Sequence, residues 1–489
     1  MRPPACARVA ALAAAAAAAA AARPRYAATP VQLDAASYGF VFDPTVPLNE
    51  DVDVAALHDD YSGVPWSFFI ANASGLPTRL LPDGGIELDA AAVAAGAEAL
   101  LRALRAGGGP AAPALPTSWL LRLNTTLAAT RAWGLPAFGT LQMLTSPMRT
   151  CPAQNASDGP NGEALVTPFE GCTSCYDFSP ATNPRAMSLV RAYALYAAFM
   201  AGALQGPTSL AAFNFAAEIN LGARICPPAW FDGVTAMSNA VYGAVRAYLD
   251  GRGASATPIF PSIQLEVVLG VQTGPDMACA GLITNAPAPP AALQACVQDG
   301  LALVAGLKRD AFGVSTYPST VANSEGGPRW PAWYLPVVLS ALAPTDRASF
   351  LVAETGFDSE SIVVNVANDS QPVECFAAFN ATVGDANAWL AYLVGQATSG
   401  GWGLVTWWSD ADFLWSGAMT SCPCATPPAY EHSCGFVNAY RQVLAAAGQP
   451  AYVGELDAKV FGTMGLRGLD RTKKPLWDTM QAARAASGG

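Results

Sequence analysis

The chain has 489 residues, a formal net charge of −11 and 13% charged residues against 52% hydrophobic ones. So acidic a balance lacks the positive field that nucleic acid binding requires and excludes polyanions as expected partners. The length exceeds what a two-layer domain needs and accommodates one α/β barrel of roughly 250 residues with long insertions.

The first 25 residues carry Arg2 and Arg8 around a short start, then the run VAALAAAAAAAAAA, then small residues. A basic start, a short apolar stretch and a small-residue cleavage region read as a secretory signal peptide over 1–25. A low-complexity alanine tract is the alternative, and its position behind the arginines favours export. No later segment offers the roughly eighteen uninterrupted apolar residues of a bilayer span; the run 186–204, for example, carries Arg191. The expected product is a secreted, extracellular monomer with residues 30–489 in a single domain.

Of 11 cysteines, Cys6 falls in the leader. The others (Cys151, Cys172, Cys175, Cys226, Cys279, Cys296, Cys375, Cys422, Cys424 and Cys434) are even in number, as complete pairing in an oxidising compartment requires. The spacings CTSC and CPC also suit a redox pair or a metal site. His58 and His432 are the chain's 2 histidines, however, and no thioredoxin-like βαβ pattern adjoins the cysteines, so disulfides tying long loops are the preferred reading. No metal or cofactor is expected. Sequons at Asn72, Asn124, Asn155, Asn368 and Asn380 are candidate glycosylation acceptors.

In chain order, ASYGFVF (36–42) is the expected first strand, and a polar excursion containing PWSFFIANAS leads to helix 88–106. Strand 118–124 (SWLLRLN), helix 125–133 and strand 135–144 follow, and a long cysteine-bearing loop precedes helix 186–204. Loops of that length without structure of their own usually have a task, here walling a cleft. Strand 208–220, helix 231–250, strand 256–268, helix 290–306, strand 312–318, helix 334–343, strand 349–357, helix 386–398 and strand 402–408 complete eight βα repeats. Helix 435–447 is expected to close the ring, with 450–489 packed across its outside. Alternating apolar strands and amphipathic helices predict an α/β fold, a (β/α)8 TIM barrel with long loop insertions. A doubly wound open sheet is the competing fold, and it lacks a glycine-rich phosphate turn here.

Glu218, in FNFAAEIN, and Glu354, in FLVAETGF, each interrupt a strongly apolar run at a strand end. A buried carboxylate without a partner or a task is costly, and a structural salt bridge is the alternative for either one alone. Glycosidic hydrolysis needs one carboxylic acid to protonate the leaving oxygen and one carboxylate to attack or to activate water, and two strand ends hold such a pair over one face.

These segments resemble clan A of the glycoside hydrolases, whose acid/base glutamate ends barrel strand four and whose nucleophile ends strand seven. The resemblance implies a retaining barrel with Glu218 as acid/base and Glu354 as nucleophile, on the fourth and seventh strands counted above. Within the clan, AEIN (217–220), STYP (315–318) and AETGF (353–357) are most similar to the arabinogalactan endo-β-1,4-galactanase family. GLRGLDRTKKPLWDTM (465–480) resembles the closing segment of many clan chains. Tyr317 then matches the tyrosine that bonds the nucleophile, with a core tyrosine as the alternative. Most of the clan has Asn before the acid/base, bonding the sugar 2-hydroxyl; this chain has Ala217, with Asn214 or Asn220 as compensating donors.

Arg122, if it faces the barrel interior near Glu354, favours the ionised carboxylate; facing the helix layer, it does not. Gln142, and on the fifth strand Gln264 and Glu266, are candidate partners of sugar hydroxyls. Trp407 and Trp408 are candidates for the floor of a sugar site, beside Asp410, Asp412 and Trp415, with Trp330, Trp333 and Tyr334 extending it; core packing is the alternative for each ring. The expected activity is endo-acting hydrolysis of a β-linked polysaccharide or oligosaccharide of galactan, mannan or glucan type. A carbohydrate-binding barrel with weak or no turnover is the alternative, motivated by Ala217.

Overall fold

The structure, a computed structural model, describes residues 210–420 and 459–486 with short gaps, the strand segments 29–31, 64–69, 78–80, 86–88 and 137–142, and residues 197 and 201. Its strands are β1 (Thr29–Val31), β2 (Val64–Phe69), β3 (Thr78–Leu80), β4 (Ile86–Leu88), β5 (Ala137–Gln142), β6 (Leu210–Ala216), β7 (Ile259–Pro261), β8 (Ile263–Gln264), β9 (Phe312–Thr316), β10 (Phe350–Thr355), β11 (Glu360–Val366), β12 (Glu374–Thr382) and β13 (Val405–Trp407). Helices are α1 (Pro228–Asp250), α2 (Leu265–Leu269), α3 (Ala291–Val304), α4 (Tyr334–Ala341), α5 (Pro344–Ala348), α6 (Val383–Gly400), α7 (Ser416–Thr420) and α8 (Pro475–Ala486).

One sheet runs β1-β13-β10-β9-β8 and another β2-β5-β6-β7, with every neighbour parallel. Ser262 alone separates β7 from β8, so the two sheets share their fifth strand position, and β1 lies beside β2 at the other seam. The chain thus folds as a closed (β/α)8 barrel, with β6 as the fourth strand position and β10 as the seventh.

The side-chain period of two explains why these strands are apolar on both faces. Leu351 and Ala353 of β10 point inward, into a cluster with Phe138, Ala212, Phe260, Ala311 and Leu404. Phe350 and Val352 point outward to the helix layer, where Trp389, Leu390 and Leu393 of α6 meet them. Inside the barrel, Gly313 admits no side chain: a Cβ there would lie 2.2 Å from the Phe260 ring. α6 starts at a capping box, with Thr382 and Asp385 exchanging bonds, which satisfies amide groups its first turn would leave open.

Two expected barrel strands are corrected. β1 takes the first position, and β2 flanks β5 where 118–124 was expected as the second strand. VPWSFF is short, aromatic and flanked by Gly63, a strand signal hidden inside a segment read as a polar excursion; a leucine-rich run such as 118–124 fits strand and helix alike. Residues 36–42, 118–124, the leader, the helices expected at 125–133 and 435–447, and all of the helix expected at 88–106 except Leu88, which ends β4, lie outside the described residues. The fifth strand also ends early: α2 begins at Leu265, so Glu266 stands on a helical turn. Cys279 pairs with Cys296, tying the loop before α3 to that helix. Asn380 is exposed on β12. Among the described residues, no helix is long and apolar enough to cross a membrane.

The end of the chain divides. α8 packs on α6 in the outer layer, whereas residues 461–466 cross the carboxyl ends of β10 and β13. Trp407 Nε1 donates to Met464 O at 2.7 Å, and Gly356 leaves room for Met464, whose sulfur a Cβ would meet at 2.5 Å. Lys474 holds this crossing: its Nζ donates to Asp412 at 2.6 Å, Ser359 Oγ at 2.8 Å and Thr463 O at 3.0 Å. Burial pushes the Asp412 carboxyl up to about 7, against the pull of Lys474. Lys474→Met strands that buried acid, at a cost of about 3–5 kcal/mol. The folded carboxyl, already raised from 3.8, rises further without Lys474, so the loss in urea-unfolding free energy is expected to be smallest at acid pH and to grow as pH rises past about 7.

Candidate active site

β6 ends at Ala216, and a turn over 217–220 presents Glu218 at the carboxyl end of the barrel. Glu218 has φ 51°, the left-handed region that disfavours a residue with a Cβ. A conformation of this kind costs on the order of 1–3 kcal/mol and persists only where its surroundings over-determine it. Ser262 does this: its Oγ accepts from Glu218 N–H at 3.0 Å and from Asn214 Nδ2 at 3.0 Å, while its carbonyl accepts from Ile219 N at 3.0 Å. Asn214 Oδ1 in turn accepts from Ser262 N at 2.9 Å.

Glu354 sits on β10 opposite Ser315 of β9, just past an irregularity in the register, and is 6% exposed. The Tyr317 hydroxyl, at the end of β9, donates to Glu354 Oε1. Glu218 is only half-buried, yet its carboxyl is raised to about 8, first by desolvation and next by the negative charge of Glu354, with Glu266 adding to it. The Ser315 hydroxyl acts in the opposite direction. A carboxyl raised to about 8 keeps its proton at neutral pH, while Glu354 accepts the phenol hydrogen bond: two carboxyl groups held in different surroundings.

Asn214 is fully buried with its amide spent on Ser262, and Asn220 is spent on Gln264 O at 3.0 Å and Gln264 N at 2.7 Å. The idea that either replaces the Asn missing at Ala217 is corrected on burial: Asn214 is unexposed and bonded to Ser262 and to Ala216 N, and Asn220, 1% exposed, is bonded to the Gln264 backbone. Asn214 supports the Glu218 turn. Gln264 caps α2 through Val267 N, and Glu266 is wholly buried behind β9. Trp407 is fully buried under Met464, and Trp408 is 2% exposed. Trp330 packs against Phe357 and Trp389, Trp333 donates to Ala286 O at 2.7 Å, and Asp412 holds Lys474, so these side chains belong to the core and the chain-end crossing. Arg122, Asp410 and the side chain of Gln142, which lies on β5, fall outside the described residues. Among the described residues, no group of His, Cys, Asp or Glu could hold a metal ion.

Phe461, in the crossing segment, was not legible beforehand. Its ring meets Tyr317 edge-on at 5.3 Å and Trp408 at 5.7 Å, and it is only partly buried. No spacing in the sequence ties it to either glutamate; only the path of the crossing segment brings it there.

No family model matches the chain, and no curated protein does. Among solved structures, the chain is similar to an apo β-glucosidase 1317, at 15% identity over 88% of both chains with a TM-score of 0.42. It is similar to Fpglu1 from fervidobacterium pennivoraus at 12% identity, over 89% of this chain and 83% of that one, TM-score 0.45. A third is the exo-β-1,4-mannosidase Op5Man5 from Opitutaceae bacterium strain TAV5, at 15% identity over 89% of this chain and 55% of that one, TM-score 0.43.

The raised Glu218 carboxyl has a consequence for stability. Unfolded, the group loses its proton near 4.5; folded, it keeps it to about 8. Its contribution is therefore fully present below the lower value and lost as pH rises through the upper one. Urea-unfolding midpoints across that window are expected to decline with pH in the wild type and to decline less in Glu218→Gln. Ser262→Ala, which orphans the Glu218 N–H and Asn214, is expected to cost about 1–3 kcal/mol in the same measurement.

Proposed function

We propose that the protein is a glycoside hydrolase that cleaves O-glycosidic bonds in a β-linked polysaccharide by a retaining double displacement. The observation that carries this reading is the placing of two carboxyl groups at the ends of the fourth and seventh barrel strands, with Glu354 accepting from the Tyr317 hydroxyl and the Glu218 carboxyl raised to about 8. In the first step Glu218 gives its proton to the departing oxygen as Glu354 attacks the anomeric carbon and the glycosidic bond breaks. In the second, Glu218 takes a proton from water, the water oxygen bonds to the anomeric carbon, and the ester to Glu354 breaks. Tyr317 holds the attacking oxygen in place between the two.

The long insertions expected from the sequence support endo-acting attack on galactan, mannan or glucan, in a secreted protein released from its leader. The partly buried Phe461 ring, set against Tyr317 and Trp408, supplies an apolar face for a sugar. A second reading, a carbohydrate-binding barrel with little turnover, is favoured by Ala217 together with the occupied amides of Asn214 and Asn220.

Reducing-end release from β-galactan, β-mannan and β-glucan tests the first reading. Glu354→Gln is expected to lower turnover on the order of 10³-fold or more while glycan binding persists. Turnover should also fall as pH rises through about 8, where Glu218 loses its proton. Glycan binding without turnover in the wild type, unaltered by Glu354→Gln, would establish the second reading instead. Phe461→Ala is expected to raise KM about tenfold with a smaller change in kcat, the equivalent of ~1.4 kcal/mol of ring contact; an unchanged KM would place Phe461 outside the binding face.

A further inference from the structure

Glu266 takes no part in the two steps above, yet it is the most enclosed acid of the site, with no exposure at all. Its Oε1 accepts from the Thr316 hydroxyl at 2.7 Å, from Tyr317 N–H at 3.0 Å and from the Tyr334 hydroxyl. Its Oε2 is buried with no hydrogen-bond partner among the described residues. Among those residues no Lys, Arg or His bridges it either. A carboxyl group placed in this way is an expensive means of satisfying two hydroxyls and an amide, and a neutral side chain would do so without charge desolvation.

The three donors converge on the end of β9. Tyr317 is the first residue past that strand, and its amide bonds Glu266. Thr316 is held from both sides, by Glu266 at its hydroxyl and by Thr355 Oγ1 at its carbonyl, 2.7 Å away. Tyr334 comes from α4 in the outer layer, where its ring packs edge-on against Trp389 at 5.9 Å. One oxygen therefore ties the helix layer to the peptide from which the Tyr317 phenol reaches Glu354. The groups facing Glu266 are Thr316 on β9, Tyr317 just past it, Tyr334 on α4 and, through its charge, Glu218.

We propose that Glu266 is a positioning residue that acts through Tyr317: its Oε1 fixes the Thr316–Tyr317 peptide so that the phenol stays on the Glu354 oxygen. The proposal rests on the glycosidase reading for its kinetic consequence and on geometry alone for its structural one. Burial holds the Glu266 carboxyl above its ordinary range while its hydrogen bonds, those from Tyr334 and Thr316 first, oppose that shift, which agrees with an oxygen used as an acceptor.

A double-mutant cycle between Glu266→Met and Tyr317→Phe tests the proposal. Each single variant is expected to lower kcat at least 30-fold with KM within threefold, and the double variant to be no slower than Tyr317→Phe alone. A merely structural residue gives additive losses, and additivity overturns the proposal. Glu266→Gln keeps the acceptor oxygen and is expected to recover at least tenfold of what Glu266→Met loses; equal losses in the two overturn the proposal as well. Should Glu266→Met fail to fold, the Gln variant enters the same cycle, where a loss that persists in full on Tyr317→Phe counts as refutation. A readout independent of turnover is the 13Cζ resonance of Tyr317, assigned by its disappearance in Tyr317→Phe. In Glu266→Met it should move to the position it takes in Glu354→Gln, and in Glu266→Gln it should stay near the wild type. If the wild type hydrolyses no glycan but the resonance responds in this way, the glycosidase reading fails and the positioning role stands. If the wild type hydrolyses glycan and the resonance is indifferent to both Glu266 variants, the positioning role fails alone.

Discussion

Desolvation first, and the negative charge of Glu354 second, raise the Glu218 carboxyl, and the rest of the site is arranged around that coupling of two acids. Burial and the charge of Glu354 keep the proton on Glu218, while the Tyr317 hydroxyl takes up one oxygen of Glu354. Two carboxyl groups become different in character although the side chains are chemically identical, as the proposed division into acid and nucleophile requires. The barrel beneath supplies the rigidity this requires, because the two residues hang from strands whose registers are set by parallel ladders and by packing on both faces.

Holding such a site costs stability in several places. Glu218 adopts a backbone conformation better suited to glycine, and Glu266 leaves an oxygen without a hydrogen-bond partner among the described residues. Asp412 is kept in a buried position by Lys474. Each of these sits at the carboxyl end of the barrel, whereas the lower interior is a plain apolar cluster of Phe138, Phe260, Leu351 and their neighbours. Strain and charge at one end, close packing below: this division lets a protein carry an unfavourable site without losing its fold.

The segment 461–466 changes how the site is built. It crosses the strand ends, covers Trp407, and leaves Phe461 as a partly buried ring against Tyr317 and Trp408. The strand-eight tryptophans become supports for a ring delivered from elsewhere in the chain. The Lys474 amine, bonded to Asp412, Ser359 and Thr463, holds that delivery in place.

Sequence by itself determined the repeating βα order and the placing of Glu218 and Glu354 at the ends of the fourth and seventh strand positions, while the approach of Tyr317 to Glu354 was an expectation from the resemblance to clan A, with a core tyrosine as its alternative. These are legible because apolar periodicity and a carboxylate that interrupts it are local signals, each confined to a few consecutive residues. Tertiary structure decided which early segments close the ring, β1 and β2 in place of 36–42 and 118–124, since short apolar runs look alike until a neighbouring strand selects among them. It also decided that Asn214 serves Ser262, that Trp407 is core, and that Glu266 and Phe461 stand around Tyr317. A side chain's orientation and partners depend on residues far along the chain, and that information exists only once the backbone has brought them together.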